Sequence, residues 1–141
     1  VALDVMPTME SVLGFSNRWY PLAIQTACPV VLPSGLSIRL IQAPEFIATK
    51  LEAFSGRGNG DYLSSHDLGD LLAIIDGRAT LLEECRACDV ALKAYLRERF
   101  THLITTPAFM EALAGHLPGD AASQQRLPEL EIKLRALAQL E

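Results

Sequence analysis

Pro44-Glu45-Phe46-Ile47-Ala48-Thr49-Lys50-Leu51-Glu52-Ala53-Phe54 is the stretch on which the reading of this chain turns. Pro44 suits the first turn of a helix, where a missing N–H costs nothing. Ser55-Gly56-Arg57-Gly58 follows as a stop signal with two glycines. At about 100° per residue, Phe46, Ile47, Leu51 and Phe54 fall within an arc of roughly 140°, the apolar stripe of a core helix. Lys50 lies inside that stripe. An ammonium there must snorkel to water, find a buried carboxylate or meet an anionic ligand.

Downstream, Gly56 to Gly60 reads as a loop carrying Arg57 and leading to Asp61. Glycine loops of this kind can cradle phosphate through backbone N–H groups, although most are simple turns. Ser64-Ser65 caps a second helix, with Asp67 as the acidic partner of a capping box begun at Ser64. Its buried stripe is Leu68, Leu71, Leu72 and Ile75, and Gly77 ends it. Asp67 and Asp70, three apart, project from neighbouring positions. Capping and the helix dipole account for Asp67, whereas Asp70 has less of a structural explanation.

Upstream, Val1 to Met6 reads as a strand closed by Pro7, with Val1, Leu3 and Val5 on one face and Asp4 on the other. Trp19 and Tyr20 read as core or rim anchors, and Ala23 to Ala27 as a short helical turn. Pro29 to Leu32 and Leu36 to Ile41, joined at Ser34-Gly35, predict a β-hairpin with Leu36, Ile38 and Leu40 on one face. Beyond Gly77, Thr80 with Glu83 predicts another capping box and a helix through Leu103, either continuous or broken near Asp89. Further helices start at Pro107, at the Asp120 cap and at Pro128, the last with Leu130, Ile132, Leu134, Leu137 and Leu140 apolar.

The expected fold class is therefore α+β, a small mixed sheet followed by a C-terminal helical bundle. Residues 1–78 form the α/β part and 79–141 the bundle of one compact unit. Of the 141 residues half are hydrophobic and about a fifth charged, with a net charge of −5. That composition suits a globular domain and argues against a general nucleic-acid binder. No apolar run reaches a membrane span and no signal peptide is apparent, so no membrane partner is expected. Three cysteines argue against a disulfide framework and for a reducing cytoplasm. The chain opens inside an apolar run without methionine, as expected of a sequence cut from something longer.

Cys85-Arg86-Ala87-Cys88 has the Cys-x-x-Cys spacing but lacks both further zinc ligands and a strand-to-helix setting, so the pair reads as core residues. A metal cluster from Asp61, His66, Asp67 and Asp70 is the weakest reading, because four side chains at one helix start cannot all converge. Gly-x-Ser-x-Gly, Walker A and dinucleotide fingerprints do not occur.

Ala43 to Phe54, then Arg57-Gly58, then His66-Asp67-Leu68-Gly69-Asp70-Leu71 resembles the central part of the AbiEii/AbiGii-type nucleotidyltransferase family, many members of which are toxins of toxin–antitoxin or phage-defence systems. Leu3-Asp4-Val5 is similar to the strand bearing the third metal carboxylate of that fold. The likeness covers roughly residues 1–80 and is strongest over 43–71. It implies that Lys50 contacts the triphosphate of a nucleoside triphosphate, with Arg57 also on the nucleotide side. Asp67 or Asp70 would hold or tune Lys50 or act near the acceptor, and Asp4 would be a metal carboxylate toward two Mg²⁺ ions. The family's glycine turn and Asp-x-Asp pair should precede Asp4, where only Val1 to Leu3 stand. The expectation is a partial or degenerate transferase, catalytically incomplete, with Mg²⁺ only if that motif is supplied. The alternative is a non-catalytic module binding a second copy or an antitoxin partner, with Lys50 and the two aspartates as a structural ion pair.

Overall fold

A computed structural model describes residues 17–58 and 60–141. The expected strand 1–6, with Asp4, lies outside them. Among the described residues the chain runs α1 (Tyr20–Thr26), β1 (Cys28–Val31), β2 (Ser37–Leu40), α2 (Ala43–Arg57), α3 (His66–Gly77), α4 (Leu81–Ala87), α5 (Val90–Ile104), α6 (Pro107–His116), α7 (Ala121–Gln124) and α8 (Leu127–Leu137). The class is α+β and mostly helical. Among the described residues the sheet is a two-stranded antiparallel hairpin; the expected mixed sheet also needed strand 1–6, which lies outside them.

Helix α2 is the hub. It packs against α1, α3, α4 and α5, while α8 closes over α3, α4 and α5. Ile47, Leu51 and Phe54 are buried on one side of it, as the stripe predicts, and Phe46 is half-buried at its edge. They meet Leu68, Leu71, Leu72 and Ile75 of α3, and the core continues through Leu92, Leu96 and Phe100 of α5 to Leu130 and Leu134 of α8. Each fully buried leucine contributes about 1.5–3 kcal/mol relative to exposure. One core cluster thus draws on residues from both sides of residue 78.

Several boundaries differ from the sequence reading. Helix α2 runs through Ser55 and Gly56 to Arg57 instead of stopping at the serine. The Ser55 hydroxyl donates to Leu51 O, and Gly58 N–H closes the last turn on Phe54 O. Arg57 therefore belongs to a helix and not to the glycine loop. Ser65, not Ser64, caps α3, its Oγ accepting from Leu68 N. Asp61 Oδ1 takes the N–H groups of Leu63 and Ser64, turning the chain one residue later.

Thr80 makes no cap with Glu83. Its hydroxyl donates to Glu84, whose carboxylate also accepts from Arg78. The break near Asp89 is real, and Asp89 caps α5 by accepting from Ala91 N and Leu92 N. In α8 the buried positions are Leu130, Leu134 and Leu137, whereas Ile132 faces outward. Leu140 beyond it is buried as expected.

The hairpin turns through Pro33-Ser34-Gly35, with Gly35 at φ +83° supplying the left-handed residue that a three-residue loop needs. Arg39 anchors it to the body by donating to the carbonyls of Ile24 and Ala27, each at 3.0 Å, capping the end of α1. Trp19 is half-buried against Tyr95, ring centroids 5.0 Å apart. No helix among the described residues is long and apolar enough to cross a membrane.

Candidate functional site

Lys50 and Arg57 are seven residues apart, two turns along α2, and so share one helix face. Asp67 and Asp70 lie one turn apart at the start of α3. Packing α2 on α3 brings the four together. Lys50 Nζ donates to Asp67 Oδ1 at 3.2 Å and to Asp70 Oδ2 at 2.6 Å. Arg57 grips Asp67 with two parallel bonds, Nε to Oδ2 and Nη2 to Oδ1, both 3.1 Å.

The cluster's electrostatics are uneven. Burial pulls the Lys50 ammonium toward neutrality, but its hydrogen bonds to Asp70 and Asp67 outweigh it and hold the pKa above the ordinary lysine value. Burial likewise opposes the Asp67 charge. Hydrogen bonds from Arg57 and Lys50 overcome it and keep the carboxyl below its usual range. The Asp67 side chain is only 10% exposed and Lys50 23%, whereas Asp70 is 54% exposed. Asp67 also stands in the first turn of α3, where the helix dipole favours an anion.

A cleft of about 420 Å³ opens beside the cluster, lined by Arg57, Gly58, Asp61, Ser64, Ser65, His66 and Asp67. Arg57 and Asp67 are shared between cleft and cluster, while Lys50 and Asp70 do not line it. Lys50 instead lies against the half-buried Phe46 ring, its Nζ 5.6 Å from the centroid.

The cleft wall is tied to the helical half. At Gly58 a Cβ would overlap the ring and carbonyl of Phe54, so only glycine lets the chain leave α2 there. The Tyr62 ring packs on Phe54 and Phe109, with centroids 5.3 and 6.1 Å away. His116 Nε2 lies 2.6 Å from Tyr62 O, and Leu63 fills the space beside Gly115. Sequence reasoning missed this support and also missed Arg57 as the partner of Asp67. The seven-residue spacing from Lys50 was the available signal for the second.

Among the described residues no three His, Cys, Asp or Glu side chains are grouped so as to hold a metal. Asp67 accepts from cations with both oxygens and Asp70 with one, so these carboxylates do not fit a Mg²⁺ site, which needs several free oxygen ligands. The Asp61/His66/Asp67/Asp70 cluster does not form as a ligand set, and Asp4 lies outside the described residues. Cys85 is buried and Cys88 half-buried. Burial pushes their thiols up to about 12 and about 11, which suits core residues better than nucleophiles.

No protein-family model matches the chain, and no curated protein or solved structure matches it.

Proposed function

We propose that this chain carries the phosphate-binding side of a nucleotidyltransferase-like protein, with Lys50 as the group that meets a nucleoside triphosphate. The observation that supports this most is an ammonium set into the apolar face of the central helix and held by two acids of very different exposure. Asp67 is pinned from the other side by Arg57 and stays in place. Asp70 stands largely in water, so it can give up Lys50 at little cost to an anion of higher charge. A triphosphate is such an anion, and the amine would pass from Asp70 to a phosphate oxygen while Asp67 keeps it aimed. Arg57 lies beside it on the cleft. Catalysis is incomplete on the described residues, and Mg²⁺ would require carboxylates other than Asp67 and Asp70.

Thermal denaturation with each of the four nucleoside triphosphates, with and without Mg²⁺, tests the reading. The melting temperature should rise with ligand concentration for at least one nucleotide. Lys50→Met, which replaces an amine beside Phe46 by an apolar chain of similar length, should remove that rise while leaving the fold intact. No rise with any nucleotide overturns the proposal.

A second reading, a non-catalytic module that binds a second copy or an antitoxin-like partner, is favoured by the hairpin, where Leu36 and Leu40 are 62% and 51% exposed. Under it the four charges are simply a clamp between α2 and α3.

A further inference from the structure

The two edges of the hairpin are not equivalent. Leu32 N donates to Leu36 O, and Gly35 N to Leu32 O, so Leu32–Leu36 ends the ladder as a hydrogen-bonded pair. Alternation then makes Val30–Ile38 and Cys28–Leu40 the bonded pairs, and it turns the N–H and C=O of Ser37 and Arg39 away from β1. Pro29 stands opposite Arg39, its missing N–H falling on the outer side of β1. The outer edge of β1 is thus interrupted and that of β2 is not. Among the described residues no strand pairs with β2 on that side.

We propose that β2 pairs with β2 of a second copy, antiparallel about a two-fold axis through Ile38, to make a four-stranded sheet. This rests on the module reading above and deepens it. A two-stranded hairpin is marginal by itself, and this one touches the helical body only lightly. With Ile38 on the axis, Ser37 meets Arg39 of the other copy through their outward backbone groups. On the apolar face the half-buried Ile38 meets Ile38 and each exposed Leu36 meets the other copy's exposed Leu40, giving three cross-strand pairs. No like charges stand directly opposite each other, although the two Arg39 are diagonal neighbours across the axis. The only charged residue in the hairpin is Arg39, whose guanidinium is committed to its own α1 carbonyls. Each copy offers one continuous edge and one broken by proline, so the assembly closes at two instead of growing.

Sedimentation velocity of the full chain over a concentration series tests the interface. The expected result is a reversible dimer. Ser37→Pro removes an outward N–H without touching the β1–β2 ladder, and by symmetry costs two bonds. It should raise the dissociation constant about tenfold to a hundredfold. Leu40→Lys alters a side chain exposed in the single copy, which spares folding, and should also dissociate the dimer. In a Cys28→Ser background, Ile38→Cys should oxidise to a covalent dimer, because non-hydrogen-bonded antiparallel partners lie about 4.5 Å apart in Cα, within disulfide reach. A chain that stays monomeric at every concentration overturns the interface and the second-copy form of the module reading, and leaves its partner-binding form standing. A dimer that Ser37→Pro and Leu40→Lys leave intact overturns the β2 interface alone.

Discussion

Helix α3 is held at both ends by ion pairs, and the two ends are built differently. At its C-terminal end Asp76 accepts from Arg126 Nε at 3.0 Å, and Lys133 Nζ donates to Asp76 O at 2.8 Å. There α8 covers the last turn of α3, and Lys133 also pairs with Glu129 one turn away at 3.0 Å. At the N-terminal end Asp67 has two cations, Lys50 has two acids, and the second acid is mostly in water. Each end carries an exposed acid, Asp70 at one and Glu129, 64% exposed and 3.0 Å from Lys133, at the other; what differs is that the Asp67 carboxylate takes two cations and the Asp76 carboxylate one. A cation shared between a buried, doubly held carboxylate and an exposed one distinguishes the N-terminal end, and this contrast supports the functional reading.

Both ends depend on the seating of α3 in the core. Leu71, completely buried midway between them, is the largest lever on the comparison. Leu71→Ala should destabilise the chain by about 3 kcal/mol in urea unfolding, through lost burial and the cavity left behind. It should also weaken both ion clusters together.

Asp67→Ala should separate them. It strips a buried carboxylate from two cations and should cost about 2–3 kcal/mol. At the other end Arg126 is 42% exposed, and Arg126→Ala should cost about 1 kcal/mol or less in the same measurement. If the two variants cost the same, the inequality argued from exposure is wrong.

The pH dependence of stability should show the same asymmetry. The Asp67 carboxyl is depressed in the folded chain, so its contribution is present above its unfolded value of about 4 and is lost as pH falls through the lower folded value. Lys50 is raised, so its contribution is complete below about 10.4 and is lost as pH climbs through the higher folded value. Between those limits neither group gives a slope. Comparing unfolding midpoints of the wild type and Asp67→Asn below pH 4 should show an acid loss in the wild type that the variant lacks.

The meeting of Lys50 with Asp67 and Asp70 was legible in the sequence, because an amine in an apolar stripe and two acids one turn apart on the next helix need each other. Arg57 was not legible as part of it. Ser55-Gly56 reads as a stop, yet the buried Phe54 and the bond from Gly58 N–H to Phe54 O carry the helix one turn further, which aims the guanidinium at Asp67. Local propensity lost to a core contact. The choice between Ser64 and Ser65 as cap was likewise invisible, since either serine serves and Asp61, several residues upstream, selects. The helical half was well marked by its proline starts and leucine periods. Ile132 obeyed the apolar pattern and still faces outward, because periodicity reports a stripe's width less well than its centre. The hairpin's turn and pairing were readable from Ser34-Gly35, but its outward-facing leucines were not, since alternation assigns faces without saying which face is covered.

The smallest expected change in stability gives the sharpest comparison. Asp70→Asn alters a mostly exposed acid whose loss leaves Lys50 on Asp67, so stability should move by less than about 0.5 kcal/mol. On the clamp reading nothing else should change. On the phosphate reading the variant removes the competitor that a triphosphate must displace, and it takes one negative charge from the approach to Lys50. The nucleotide-induced rise in melting temperature should then be larger than in the wild type at equal ligand concentration, and should vanish again in the Lys50→Met/Asp70→Asn double variant. An unchanged or smaller rise would mean that Asp70 does not stand between Lys50 and the ligand, and the N-terminal end of α3 would be a staple like the other.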